Sequence, residues 1–325
     1  MLGNLNQRGI LRIYFIIPTL TFIKTTINNV QNCYLLISLY RYFIKMKLCF
    51  CLISLSLFCF VSADSGEETS TFEITGNPEN VEDFVFKGKE LKLKGPRLQI
   101  SSGNQASDTQ FPYVAELAIN TATGGFLCTG SLIGRNWILT AKHCIEGKTV
   151  TSIRASLGSA DRQGTRTQIL VKAVSYTVSA DIALFRLETS APISDTIKTV
   201  RIPKITRIFS NFENYDFTAI GWGMVSPGVF SRFLQYTNFK TLPSASCPLV
   251  NVGQYYLCSQ PPTGTSQLLG GDSGGPGVIV ETDGIETQIA VNVAYVTSGT
   301  NIWQKSTRVS NFLVWIFTQT GIIYI

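Results

Sequence analysis

Residues 100–325 predict an all-β domain, because short β-branched and aromatic runs alternate with Gly, Asn, Ser and Pro breaks while long helical periodicity is scarce. The strands expected from these runs are Tyr113–Ile119, Phe126–Ile133, Trp137–Thr140, Gln168–Val174, Ile182–Leu187, Phe217–Trp222, Gly277–Glu281 and Thr287–Val296. Only the last stretch departs from this period. Ser310 stands at a possible N-cap, and Phe312, Leu313, Trp315 and Ile316 recur at helical spacing, so a C-terminal helix is expected over residues 310–320. At 226 residues the region is long enough to bury a substantial core.

Charge excludes one class of partner. The chain carries a formal +6, but residues 100–325 hold 16 basic and 13 acidic residues with no basic cluster, so nucleic-acid binding is not expected. No Asn-x-Ser/Thr site is present.

The leader has its own layout. Met46-Lys47, the apolar run Leu48–Val61 and Ser62-Ala63 read as a secretory signal peptide over 46–63, with cleavage after Ala63. Residues 1–45 are then expected to be an upstream extension outside the natural product; the alternative is a membrane anchor over Ile10–Ile23, which is short for a bilayer span and contains Arg12 and Pro18. Residues 64–99, acidic and then Lys-rich, read as an exposed propeptide before a domain at 100–325.

Three short motifs carry the chemistry. His143, the single histidine of the chain, lies in Thr140-Ala141-Lys142-His143-Cys144. Asp181 is set among apolar residues in Asp181-Ile182-Ala183-Leu184, and such an acid needs a buried partner that an imidazole supplies. Ser273 stands between glycines in Gly271-Asp272-Ser273-Gly274-Gly275-Pro276, where the backbone can turn tightly and approach a substrate closely. Nucleophilic catalysis by serine needs these groups: a base for the hydroxyl proton, an acceptor behind the base, and backbone donors for the oxyanion.

These motifs, in this order and with separations of 38 and 92 residues, resemble the chymotrypsin-like (trypsin-fold) serine proteases. Gly221-Trp222-Gly223 and Thr307-Arg308-Val309 are further matching landmarks. The resemblance implies two antiparallel six-stranded β-barrels, the first over about 113–188 and the second over about 214–308, joined near Thr189–Glu213, with the site in the cleft between them. It implies His143, Asp181 and Ser273 as catalytic residues, with the Gly271 and Ser273 amides as the oxyanion hole. It pairs Cys128 with Cys144 and Cys247 with Cys258, which places the chain in an oxidising compartment. With one histidine and no Cys-x-x-Cys spacing, no metal or other cofactor is expected.

Activation and specificity follow from the same resemblance. Ile100-Ser101-Ser102-Gly103 resembles the family's new N-terminus, whose freed amino group would pair with Asp272; yet Gln99 precedes it and the nearest basic residue is Arg97, so cleavage after Gln99 and trimming after Arg97 are both open. Counting back from Ser273 puts Gln267 at the floor of the specificity pocket, with Tyr295 and Val296 on its wall. Without an acid there, cleavage after Arg or Lys is disfavoured, and a shallow elastase- or chymotrypsin-like pocket for apolar residues is expected. Three residues depart from the family pattern: Lys142 before the histidine, Ala294 where a serine would support Asp181, and Leu269 in place of a half-cystine. The expectation is a secreted, monomeric serine endopeptidase made as a zymogen, meeting protein or peptide substrates, an activating protease and protein inhibitors, and no membrane. The alternative is a weakly active or non-catalytic homologue that binds partners in a proteolytic cascade.

Overall fold

The computed structural model describes residues 11–16, 22–27, 69–73, 103–208, 210–226, 228–247, 255–261, 267–298 and 301–325. The chain divides into two units, Met1–Asp64 and Ser65–Ile325. In the first, β1 (Leu11–Ile16) and β2 (Phe22–Ile27) form an antiparallel pair. The expected signal peptide and Ile100 lie outside the described residues, as does most of the expected propeptide. Among the described residues no helix is long and apolar enough to cross a membrane.

The second unit contains a short strand of the expected propeptide, β3 (Thr69–Glu73), and then β4 (Asn104–Gln105). Six strands follow: β5 (Val114–Thr121), β6 (Gly124–Gly134), β7 (Trp137–Thr140), β8 (Val150–Leu157), β9 (Thr167–Thr177) and β10 (Ala183–Leu187). They pair in the order β10-β7-β6-β5-β8-β9, and pairing of β10 with β9 closes the barrel; β3 adds to the free edge of β9. Closure removes the unpaired edges that an open sheet would expose.

The second barrel repeats the plan. Its strands are β11 (Asp216–Gly221), β14 (Gln235–Thr241), β15 (Tyr256–Gln260), β16 (Pro276–Val280), β17 (Glu286–Ser298) and β18 (Asn301–Arg308), with the small pair β12 (Met224–Ser226) and β13 (Val229–Phe230) outside it. The order β11-β16-β17-β18-β15-β14 is closed by β11 against β14, and β4 adds to the β14 edge.

The two barrels differ inside. Leu117, Ile119, Ile138, Leu139, Ile153, Leu184 and Phe185 are buried on the strands of the first, and their cluster continues through Ile220, Trp222 and Val291 of the second. The second keeps a smaller apolar cluster around Phe217, Phe239, Leu257 and Ile289, and buries Gln235, Thr237, Ser259, Gln304 and Ser306 as well. Strand β14 alternates strictly, yet three of its four inward residues are Gln235, Thr237 and Thr241.

The C-terminal segment begins differently from the sequence expectation. Val309–Phe312 forms a 3-10 turn and the α-helix α1 runs over Leu313–Thr320. Ser310 therefore caps nothing; its hydroxyl donates to the Ser210 carbonyl at 2.9 Å. Gly321, at φ +76°, ends α1 by donating to the Phe317 carbonyl at 2.8 Å, a left-handed stop that glycine adopts without penalty. Leu313, Trp315 and Ile316 bury the inner face in the first cluster.

One buried acid is tied into the first barrel. Glu116, 5% exposed, accepts from Arg162 Nε at 3.0 Å and from Arg166. Removing the carboxylate would leave two guanidinium groups facing each other. Glu116→Ala is predicted to lower stability by about 3 kcal/mol, and Glu116→Gln by less, measured as shifts in the urea midpoint.

Candidate active site

Local chain direction brings the acid to the imidazole. His143 sits in the 3-10 turn Lys142–Cys144 that follows β7, and a disulfide from Cys128 on β6 to Cys144 anchors that turn. Asp181 lies in the short link from β9 to β10, and because Ala183 pairs with Thr140, the link runs beside the histidine turn. The His143 backbone N–H donates to Asp181 Oδ1 at 2.9 Å, and Nδ1 of the ring lies 2.7 Å from Oδ2. With an anionic carboxylate as partner, Nδ1 carries the proton and Nε2 is left as the acceptor.

The second barrel supports Asp181 from behind. The Asp181 N–H donates to the Tyr256 hydroxyl at 3.2 Å, and Thr307 Oγ1 donates to the Asp181 carbonyl at 2.6 Å. Burial alone would raise the Asp181 pKa; the hydrogen bonds and charge of His143, with Lys142 adding to them, overcome this and hold it below the ordinary carboxylate value. Lys142 is itself paired with Glu146 at 3.0 Å. Neither Tyr256 nor Thr307 was legible as a partner of Asp181, since both contacts exist only because two barrels meet.

The serine loop is held against the first barrel by its backbone. Thr129 of β6 donates its N–H to the Ser273 carbonyl and its Oγ1 to the Gly271 carbonyl, each at 2.8 Å. Gly274, at φ +80°, is pressed against Thr140 and Ala141, where a Cβ would come within 2.1 Å of Thr140 Oγ1 and 2.9 Å of the Ala141 nitrogen. Thus the loop bearing Ser273 abuts the residues that lead into the histidine turn, and Cys144 Sγ is 3.9 Å from the Ser273 carbonyl. Neither the Gly271 nor the Ser273 N–H donates to an acceptor among the described residues. Both are free to face a developing oxyanion.

Asp272 points inward. It is fully buried, accepting from the Gly223 N–H at 2.7 Å and the Leu269 N–H at 2.9 Å, and no cationic side chain pairs with it among the described residues. Burial pushes its pKa up to about 7 despite those two amides. A Cβ at Gly223 would fall 2.0 Å from this carboxylate, which explains the glycine after Trp222.

Beside Ser273 opens a cavity of about 230 Å³, walled by Leu268, Leu269, Asn292, Ala294 and Tyr295 with Asp272 behind. Tyr295 lines it as the sequence count places it, whereas Gln267 is half-buried and is not among its walls. The Val296 side chain lies outside the described residues. The second disulfide joins Cys247 to Cys258. Cys128, His143 and Cys144 cluster within 4.8 Å, but both sulfurs are already in a disulfide and offer no thiolate to a metal.

Two closed six-stranded barrels, with an imidazole–carboxylate pair from one facing a Gly-Asp-Ser-Gly-Gly-Pro loop from the other, define the trypsin-fold serine protease class. The family model described as Trypsin matches residues 100–316, and the chain belongs to that family. Brachyurin of Leptuca pugilator is 30% identical over 237 residues, spanning 69% of this chain and 99% of the relative. A collagenase of Hypoderma lineatum is 29% identical over 70% of this chain and 89% of the relative. A chymotrypsin of Phaedon cochleariae is 27% identical over 69% and 83%. Among solved structures, HL collagenase superposes with a TM-score of 0.60 at 28% identity, covering 69% of this chain and 99% of that one.

Two outcomes follow. Because folding raises the Asp272 pKa from 3.8 to about 7, the folded state holds the extra proton between those values. The uncleaved chain is predicted to lose stability as pH rises through this window, by on the order of 4 kcal/mol at most, and Asp272→Asn to flatten that part of the stability–pH curve. Gly274→Ala, which adds a Cβ at a positive φ against Thr140, is predicted to cost about 2 kcal/mol or more, read as a lowered thermal midpoint.

Proposed function

We propose that this chain is a secreted serine endopeptidase, made as a zymogen, that hydrolyses peptide bonds through an acyl-enzyme. The observation that carries the reading is the His143–Asp181 pair, at 2.7 Å, on the barrel to which the Ser273 loop is bonded. Ser273 Oγ attacks the scissile carbonyl, His143 Nε2 takes the hydroxyl proton and returns it to the leaving amine, and Asp181 holds the ring and the charge it acquires. The Gly271 and Ser273 amides receive the oxyanion, where one such donor is worth roughly 3 kcal/mol in the transition state. Water then attacks the acyl-enzyme by the same proton route in reverse.

Activation turns on Asp272. A buried carboxylate that accepts only two amides is a receptor for a cation, and the α-amino group freed at Ile100 would supply the charge. The strand just downstream supports this, since Asn104 and Gln105 pair with β14 and the Ala106 N–H donates to the Leu234 carbonyl at 2.8 Å. Pairing there would fix residues 271–273 and with them both oxyanion donors. Cleavage after Gln99, or after Arg97 with trimming, is carried out by a separate protease. The signal sequence at 46–63 directs the chain outside the cell, where two disulfides persist. No acid other than Asp272 lines the specificity cavity among the described residues, which disfavours cleavage after Arg or Lys. The collagenase and chymotrypsin relatives support a polypeptide substrate.

Secreted protein is to be tested on casein before and after processing, with its N-terminus sequenced. Activity is expected only in the form that begins at Ile100, with Ser273→Ala at background and Asp181→Asn lowered by about 10⁴ in kcat. Full activity in a form beginning at Leu98 would contradict the activation register, and undiminished activity in Ser273→Ala would contradict the mechanism.

A further inference from the structure

The cavity beside Ser273 is polar in an unusual way. Asn292, 1% exposed, forms part of its wall, and both Nδ2 and Oδ1 lack a hydrogen-bond partner among the described residues. Strand register extends this set. Asn292 pairs with Ser306, and Gln304, two residues along β18 on the same inward face, pairs with both Ser259 and Tyr295. Gln304, Ser306 and Ser259 are fully buried, and with Asn292 they contribute six side-chain polar atoms without a partner. Elsewhere in this barrel Gln235 on β14 keeps its Oε1 unpaired, whereas Gln288 is satisfied. Gln288 accepts from Ser131 at 2.6 Å and donates to the Ala290 carbonyl at 3.1 Å. Six of the unpaired atoms thus lie on β15, β17 and β18; Asn292 lines the cavity itself, and Gln304 lies opposite the lining residue Tyr295 in the strand register.

An unpaired buried amide is costly, and a ligand that supplies both a donor and an acceptor recovers that cost. A carboxylate supplies acceptors only and would bring a charge toward Asp272, which lines the same cavity. An ammonium or guanidinium supplies donors only, and the one acid that lines the cavity among the described residues, Asp272, is the proposed partner of the freed amino group. An aliphatic or aromatic side chain leaves both amides unpaired. A carboxamide matches donor to acceptor at each.

We infer that this cavity is built for an uncharged carboxamide, and that Asn292 and Gln304 set a preference for glutamine at the residue before the scissile bond. The inference rests on the reading of Ser273 as the nucleophile, and it replaces the apolar preference expected from counting along the sequence. Asn292 is the determinant in the cavity wall and Gln304 the one behind it, next in register to Ser259 and Tyr295.

The test is a peptide series identical except for Gln, Glu, Met, Leu, Phe or Lys before the scissile bond, given to the processed protein. Gln is expected to exceed its near-isosteres Met and Glu by about tenfold or more in kcat/KM, because a site built to bond a polar group rejects an analogue that lacks it. Gln304→Met and Asn292→Val should each reduce the Gln-to-Met ratio, and the double substitution should bring it below one. Their thermal midpoints should stay level or rise, since replacing an unpaired buried polar group by an apolar one of similar shape is neutral or stabilising. Wild-type hydrolysis with Met, Leu, Phe, Glu or Lys equal to or above Gln would overturn the inference and leave the hydrolase reading standing. So would a Gln-to-Met ratio that survives the double substitution. Failure to hydrolyse any member of the series would overturn the hydrolase reading and this inference with it.

Discussion

The arrangement of this molecule depends on Thr129. Its N–H and its Oγ1 hold the Ser273 and Gly271 carbonyls, its own carbonyl accepts from Thr140 Oγ1 at 2.8 Å, and β6 delivers it one residue after the half-cystine that anchors the histidine turn. One uncharged residue thereby sets the distance between a loop of the second barrel and a turn of the first. Each bond is worth on the order of 1 kcal/mol net, so the consequence is positional more than energetic. Because the contacts are made to backbone carbonyls, they use neither the side chain nor the amide of Ser273. Gly274 permits the approach, as any Cβ there would meet Thr140.

Two aspartates, Asp181 partly buried and Asp272 fully so, stand in opposite electrostatic states within this frame. Asp181 has the His143 imidazole and amide against its carboxylate, which hold its pKa low, while Tyr256 and Thr307 bond its backbone from the second barrel. Asp272 has two amides and, among the described residues, no cation, and burial lifts its pKa to about 7. The first is a finished structural unit that keeps the ring in one orientation. The second is unfinished, and its carboxylate lies one residue from each proposed oxyanion donor. A charge arriving at Asp272 therefore acts on the geometry of Gly271 and Ser273 without altering the histidine pair. On the proposed activation, separation of these two functions onto two barrels would let folding precede activity.

Much of this was legible in the sequence, and the gaps have physical reasons. Trp137–Thr140 is a strand with the bounds expected of it, because its apolar run is short and sharply terminated. Strands β8, β14, β15 and β18 went unseen since periodic hydrophobicity was the signal, and Gln235, Thr237, Gln304 and Ser306 face inward where apolar residues were sought. Ser310 reads as a cap locally, yet its hydroxyl is taken by Ser210 across the fold. The three catalytic motifs were legible because each carries its chemistry in a few adjacent residues. Thr129, Tyr256 and Thr307 were not, since a threonine or tyrosine is ordinary until a second barrel brings a carbonyl or an amide to it. Counting residues pointed to Gln267, whereas the cavity beside Ser273 is lined by the neighbouring Leu268 and Leu269.

The central claim is that an imidazole from the first barrel activates Ser273 of the second. Intact-mass and peptide mass spectrometry of the processed protein after exposure to a fluorophosphonate tests it directly. The account predicts one phosphonyl adduct, located on Ser273, whose formation is lost in His143→Ala. An adduct on another hydroxyl, or labelling of Ser273 at an undiminished rate without His143, would contradict it.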